Sequence, residues 1–195
     1  MFTPDARAAQ RRIFAVDAET NGLYGAPFAI AAVARGGGAT PAVFLGRCPL
    51  IGPVDPWVDR EVIPVMTDIP CTHDGLDALL DDFWLFYRAE VGAAGDEDLV
   101  CIAHCAAPVE AGLFRRCVER DLATREFQAP FPLHDLATLL LAAGEDPRAA
   151  RSYLQKAGLK LPVEDRPHDP LADAWCCLIA AESLLSEARA AAVRA

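Results

Sequence analysis

Residues 14–23 read FAVDAETNGL, an apolar strand that ends on two carboxylates, Asp17 and Glu19, one residue apart. The strand from Arg12 to Ala18 is apolar enough to be buried. Desolvation and mutual repulsion both oppose two acids at its end unless a cation lies between them. Side chains two apart on a strand project to the same side, so Asp17 and Glu19 point together. That is the geometry in which carboxylates share a hard cation such as Mg²⁺ or Mn²⁺. On its own, D-x-E also describes an ordinary exposed strand end. The turn TNGL that follows is tight and would bring backbone and side chain close to a ligand.

Working outward, Phe28 to Arg35 and Pro41 to Arg47 read as two further strands, joined by the glycine-rich GGGAT of residues 36–40 as an antiparallel hairpin. A proline-rich passage, Pro49 to Pro70, is left irregular apart from a short helical turn near Trp57. Leu76, Leu79, Leu80, Phe83, Phe86 and Tyr87 recur at helical spacing in a helix from Gly75 to about Ala89. The run DLVCIAHCA is a second buried strand, Pro108 opens a helix to about Ala123, and FPLHD is a last short strand. Helices from Leu136, from Pro147 and from Pro170 to the C-terminus complete the order β-β-β-α-β-α-β-α-α-α. The class is α/β, with a mixed sheet flanked by helices. One domain over 1–195 is expected, with a tail at 1–11 and the core at 12–190.

At 195 residues and 53% apolar, the chain can bury a substantial core. No apolar run reaches the roughly 18 residues of a membrane span, and Asp17 and Glu19 interrupt what would be a signal-peptide core. A cytoplasmic location is the expectation. Seven cysteines, an odd number with no CxxC pair, read as small buried hydrophobes; Cys71 with His73 and His104 with Cys105 lack zinc-clip spacing. The net charge of −10 argues against gripping long duplexes by counterion release. It allows a short or single-stranded ligand whose phosphodiester is held through metal.

The second informative stretch is HDPLADA, residues 168–174. Asp169 stands at an N-cap position and Pro170 at the first helical position, which leaves His168 in the loop and Asp173 one turn inside the helix. An imidazole beside a carboxylate at a metal is what water activation needs, although acids near a helix start also simply complement its dipole. His134 with Asp135 reads as a capping pair. Arg115, Arg116, Arg120, Arg148, Arg151 and Lys156 are candidate phosphate contacts, most of them better read as solvated helix faces. His73 has no evident partner.

Taken together, these motifs resemble the DEDD exonuclease superfamily (DnaQ-like), in its histidine-bearing DEDDh branch with the ribonuclease H-like fold. D-x-E-T-x-G-L matches at Asp17, Glu19, Thr20, Gly22 and Leu23, and H-x(4)-D followed by alanine at His168, Asp173 and Ala174. The resemblance spans about Arg12 to Leu185. Its second motif is altered: His104 is present, Cys105 stands where asparagine is usual, and the acid is Glu110, one residue later than the family's aspartate. The resemblance implies a five-stranded sheet with three antiparallel strands and then two parallel ones. It also implies two divalent cations, Mg²⁺ or Mn²⁺, held by Asp17, Glu19, Glu110 and Asp173, with His168 as general base. Thr20 and Gly22 would meet the terminal nucleotide, Leu23 would wedge the terminal bases, and Tyr24 would stack. The expected activity is 3′→5′ hydrolysis of short or single-stranded RNA or DNA to nucleoside 5′-monophosphates, in a protein that is often a homodimer. Two other readings use the same residues: a catalytically degenerate nucleic-acid-binding or interaction module, and a metal-dependent hydrolase of dinucleotides or nucleotides.

Overall fold

A computed structural model of the chain describes residues 11–36, 40–95 and 99–194. The strands are β1 (Arg12–Thr20), β2 (Pro27–Arg35), β3 (Ala42–Arg47), β4 (Leu99–Ala103) and β5 (His134–Asp135). The helices are α1 (Pro56–Glu61), α2 (Leu76–Ala94), α3 (Val109–Glu119), α4 (Leu122–Arg125), α5 (Leu136–Ala142), α6 (Ala150–Lys156) and α7 (Pro170–Arg194), with a 3₁₀ turn over Ile63–Met66. The protein is α/β. Its mixed sheet runs β3-β2-β1-β4-β5, antiparallel through β3, β2 and β1, with β4 parallel to β1 and β5 parallel to β4.

The period-2 pattern of β1 divides the core. Phe14, Val16 and Ala18 face a cluster with α2 and α3 that includes Phe83, Tyr87, Leu113 and Phe114. Ile13 and Ala15 face the other side, against Leu136, Leu140 and the apolar stripe of α7. Asp17 and Glu19 continue this second face past the point where the hydrophobic residues stop. β2 is buried on both faces for its first eight residues, and the strand order puts β1 at the sheet centre.

Several boundaries differ from those read from the sequence. β1 continues to Thr20, so Glu19 and Thr20 belong to the strand, with a register irregularity between them. The hairpin pairing of β2 with β3 is present, while residues 37–39 of its connection lie outside the described residues, as do 96–98 before β4 and 1–10 of the tail. The helix expected from Pro108 to Ala123 is two: α3 ends at Glu119, and Asp121 caps α4 by accepting from the Thr124 N–H at 3.3 Å. FPLHD supplies only the two strand residues of β5, because Asp135 turns away to cap α5. The helix expected from Pro147 starts at Ala150.

Candidate metal centre

Four of the expected site residues come from three elements. Asp17 and Glu19 come from β1, Glu110 from the first turn of α3, and Asp173 from the first turn of α7. The start of α7 is fixed as its sequence specifies: Asp169 Oδ1 accepts from the N–H groups of Leu171 (3.0 Å) and Ala172 (3.3 Å), and Pro170 fills the first helical position. One turn on, Asp173 Oδ2 accepts the backbone N–H of His168 at 2.9 Å. This bond helps hold His168 in a left-handed backbone conformation, φ 66°, which a non-glycine residue adopts only when its surroundings demand it.

Ligand atoms of Asp17, Glu19 and Asp173 lie within 4.8 Å of one another. This is the only such group of potential metal ligands among the described residues. Burial, then repulsion from Asp173, Glu19 and Glu110, pushes the Asp17 carboxyl well above its ordinary range. Burial likewise raises Glu19 and Asp173, against the lowering effect of His168 on Glu19 and of Arg151 on Asp173. Asp17 Oδ2 is withdrawn from solvent and has no hydrogen-bond partner. A buried carboxyl with an unpartnered oxygen, grouped with two further carboxylates, is unfavourable for protein alone and favourable for a hard divalent cation. The donor set fits such an ion.

Glu110 stands apart from this trio. It is buried, and its Oε1 accepts the Ala18 N–H at 3.3 Å, which reaches across from α3 to the central strand. Burial raises its carboxyl to about 8. Glu110 lies in the first turn of α3 and lines the cleft that Asp17 and Asp173 also line.

His168 sits with Nδ1 3.7 Å from Glu19 Oε1, an ion-pair distance rather than a hydrogen bond, and its ring meets Trp57 edge-on with centroids 5.2 Å apart. The neighbouring Glu19 carboxylate raises the imidazole pKa, opposed by partial burial. Trp57 was placed on a short helical turn, but its contact with His168 depends on folding α1 over a loop more than 100 residues away in sequence. No sequence signal gave it.

The turn after β1 has the tightness its sequence suggested. Gly22 adopts φ 82°, and the Thr20 hydroxyl donates to the Gly22 carbonyl at 2.8 Å. Leu23 and Tyr24 are exposed rather than capping the core. Leu23 lines the main cleft, whereas Tyr24 lines an adjoining hollow with Arg115 and Arg116. The main cleft measures about 880 Å³ and is bounded by the acids, His168, Trp57, Leu23, and Arg148 and Arg151 of the α6 segment.

The structure reassigns several basic residues. Arg120 pairs with Asp77 (2.6 Å) and Asp81 (2.8 Å) of α2, Arg115 with Glu119 and Lys156 with Glu145. Arg151, a candidate phosphate contact from sequence, donates to Asp173 Oδ1. His73 does have partners: Thr72 Oγ1 at 2.9 Å and Asp82 at 3.1 Å. His104 Nε2 donates to the Pro147 carbonyl at 2.8 Å, and Cys105, at φ 58°, donates its N–H to Asp135. Both therefore brace the end of β4 rather than form a thiol–imidazole metal site. Asp135 caps α5, as expected of the His134–Asp135 pair. No helix among the described residues is long and apolar enough to cross a membrane.

A scan against protein-family models finds no match to the chain, and neither does a search of curated proteins.

Proposed function

We propose that this chain is a metal-dependent 3′→5′ exonuclease of the DEDDh type with a ribonuclease H-like fold, acting on short or single-stranded RNA or DNA and releasing nucleoside 5′-monophosphates. The observation that carries the reading is the trio Asp17, Glu19 and Asp173, with one buried Asp17 oxygen unpartnered and His168 beside Glu19. The strand order β3-β2-β1-β4-β5, with the acids on central β1, agrees with it.

Asp17, Glu19 and Asp173 would hold the divalent cations, Mg²⁺ or Mn²⁺, and Glu110 would support the site from α3 across the Ala18 N–H. Bound there, such ions supply charge stabilisation at the scissile phosphate and a more acidic water. The protein's own part is positional. With Nδ1 turned toward Glu19, His168 takes the proton of the attacking water on Nε2. Trp57 limits rotation of the ring by its edge-on contact. Thr20 and Gly22 shape the turn against the 3′-terminal sugar, and Leu23, exposed at the cleft rim, wedges between the terminal bases. Tyr24 offers a stacking face in the adjoining hollow.

A second reading, hydrolysis of dinucleotides or free nucleotides at the same site, is favoured by the size of the cleft. Its volume of about 880 Å³ is that of a small-molecule site, about 300–1,000 Å³, rather than of an extended track.

The test is digestion of 5′-labelled single-stranded RNA and DNA with Mn²⁺ or Mg²⁺, an EDTA control and the Asp17→Asn variant. A metal-dependent ladder shortening from the 3′ end, lost in Asp17→Asn together with Mn²⁺ binding, is the expected outcome. Intact oligomers with wild-type protein would overturn the exonuclease reading, and near-normal turnover by Asp17→Asn would overturn the metal-site reading.

A further inference from the structure

Both carboxylate oxygens of Asp173 are already engaged. Oδ2 accepts the His168 N–H at 2.9 Å, and Oδ1 accepts Nη1 of Arg151 in a charge-assisted bond. The same guanidinium places Nε on Asp165 at 2.6 Å and Nη2 on the Arg166 carbonyl at 3.1 Å. It is held at three points, two of which lie outside the metal centre. The guanidinium is thus a fixed positive charge, introduced from α6 into a trio of acids that otherwise repel one another.

We propose that Arg151 is a tethered cation that competes with the divalent ion for Asp173 and so sets the metal affinity of this site. The inference rests on the metal-site reading above. An ion taking Asp173 Oδ1 as a ligand must displace Nη1, because one oxygen cannot face a guanidinium N–H and a hard cation in the same direction at ligand distance. Displacement need not release the side chain. The bonds to Asp165 and the Arg166 carbonyl remain, and the guanidinium pivots about them within the cleft that it already lines. The three anchors also span the loop that carries His168, so occupancy of Asp173 is linked mechanically to that loop. Arg151 is a positioning residue in this scheme; it does not touch the reacting atoms.

Charge balance points the same way. Without a metal, Arg151 offsets part of the charge of Asp17, Glu19 and Asp173. With the metal bound, that service is redundant, so the energy of the Arg151–Asp173 bond is subtracted from the binding energy. Removing a charge-assisted hydrogen bond from the competing state should tighten binding by roughly ten- to a hundredfold.

The experiment is Mn²⁺ binding followed by calorimetry and by the EPR signal of free Mn²⁺, with no substrate present, on wild type, Arg151→Gln and Arg151→Lys. Thermal melts with and without Mn²⁺ run in parallel. Arg151→Gln is expected to melt lower than wild type without metal, to bind Mn²⁺ at least tenfold more tightly, and to gain more in Tm on adding Mn²⁺. Arg151→Lys keeps the charge and is expected to lie between the two. If Arg151→Gln does not fold without metal, the Lys variant carries the comparison and must still bind more tightly than wild type. Unchanged or weaker Mn²⁺ binding in the variants, with wild type binding normally, overturns this inference and leaves the metal site intact. Absence of Mn²⁺ binding by wild type and by both variants overturns both.

Discussion

At the scale of single residues, Glu110 is the most informative position. Its carboxyl is raised to about 8 from an ordinary 4.5 by burial, and Asp17, Glu19 and Asp173 are raised as well. Such groups keep protons in the folded state that they release on unfolding, so their contribution is complete below the unfolded pKa and is lost as pH rises toward the folded one. His168, raised beside Glu19, has the same sign, since its contribution is present below 6.5 and lost above its folded value. The metal-free protein should therefore lose stability between about pH 5 and 8, by roughly 1.4 kcal/mol per pH unit for each proton of difference. Saturating Mg²⁺ or Mn²⁺ should flatten the slope, because the carboxylates are then ionised in the folded state too. Glu110→Gln keeps an acceptor for the Ala18 N–H and removes one titration. Its metal-free Tm should fall less steeply over that range than that of wild type. An identical pH profile, measured by calorimetric melting, would place the proton uptake on other groups.

Between elements, the turn after β1 couples the acidic cluster to α1. The Asn21 side chain accepts the Asp55 N–H at 2.7 Å and donates to the Pro53 carbonyl at 2.9 Å. Asp55 in turn caps α1 through the N–H of Trp57 at 2.8 Å, and Trp57 meets His168. Gly22, at φ 82°, enables the turn, and a Cβ there would come 3.4 Å from Asp55 Oδ2. Gly22→Ala should lower stability by about 1–2 kcal/mol through backbone strain, read from urea denaturation, since the space itself is tight but not closed. A change of only a few tenths of a kcal/mol would mean that the turn relaxes without needing glycine. The segments on either side of the break between α3 and α4 are tied to α2. Arg120 and Arg125 both reach Asp81 on α2, and the Arg125 guanidinium lies 5.2 Å from the Trp84 ring centroid. These cations hold helices together, which leaves fewer of them for phosphate.

For the molecule as a whole, charge limits what the cleft can grip. The chain carries −10, and the cationic side chains lining the main cleft are Arg148 and Arg151. Binding of single strands should therefore have a shallow salt dependence. The slope of log K against log salt should be about −0.7, from one phosphate contact at Arg148, since Arg151 is held by Asp165 and Asp173. Affinity for a ten-mer should be close to that for a dinucleotide. Fluorescence anisotropy of labelled oligomers on the Asp17→Asn variant measures both. A slope several times steeper, or affinity that climbs with each added nucleotide, would reveal a longer basic track and disfavour the small-substrate reading.

Local pattern alone was enough for much of this protein. The alternation of β1 puts Asp17 and Glu19 on one face, the sequence DPLAD starts α7 with Asp173 in its first turn, and helical spacing gives α2; each is an interaction between near neighbours. The hairpin of β2 with β3 was legible from its short glycine-rich connection, whereas the full antiparallel-then-parallel order was expected from the family resemblance and is seen in the structure. What required tertiary structure was the meeting of distant groups. Arg151 and Asp173 are 22 residues apart and pair only because α6 and the start of α7 are brought together, and Trp57 reaches His168 only when α1 closes on the far end of the chain. Glu110 looks in sequence like any first-turn acid. Its raised pKa comes from burial, which is a property of everything packed around it. The kinds of groups and their local facing were settled by nearest-neighbour geometry, whereas their charge states and partners were settled by long-range packing, because desolvation and Coulomb energy depend on the whole surrounding volume and not on position along the chain.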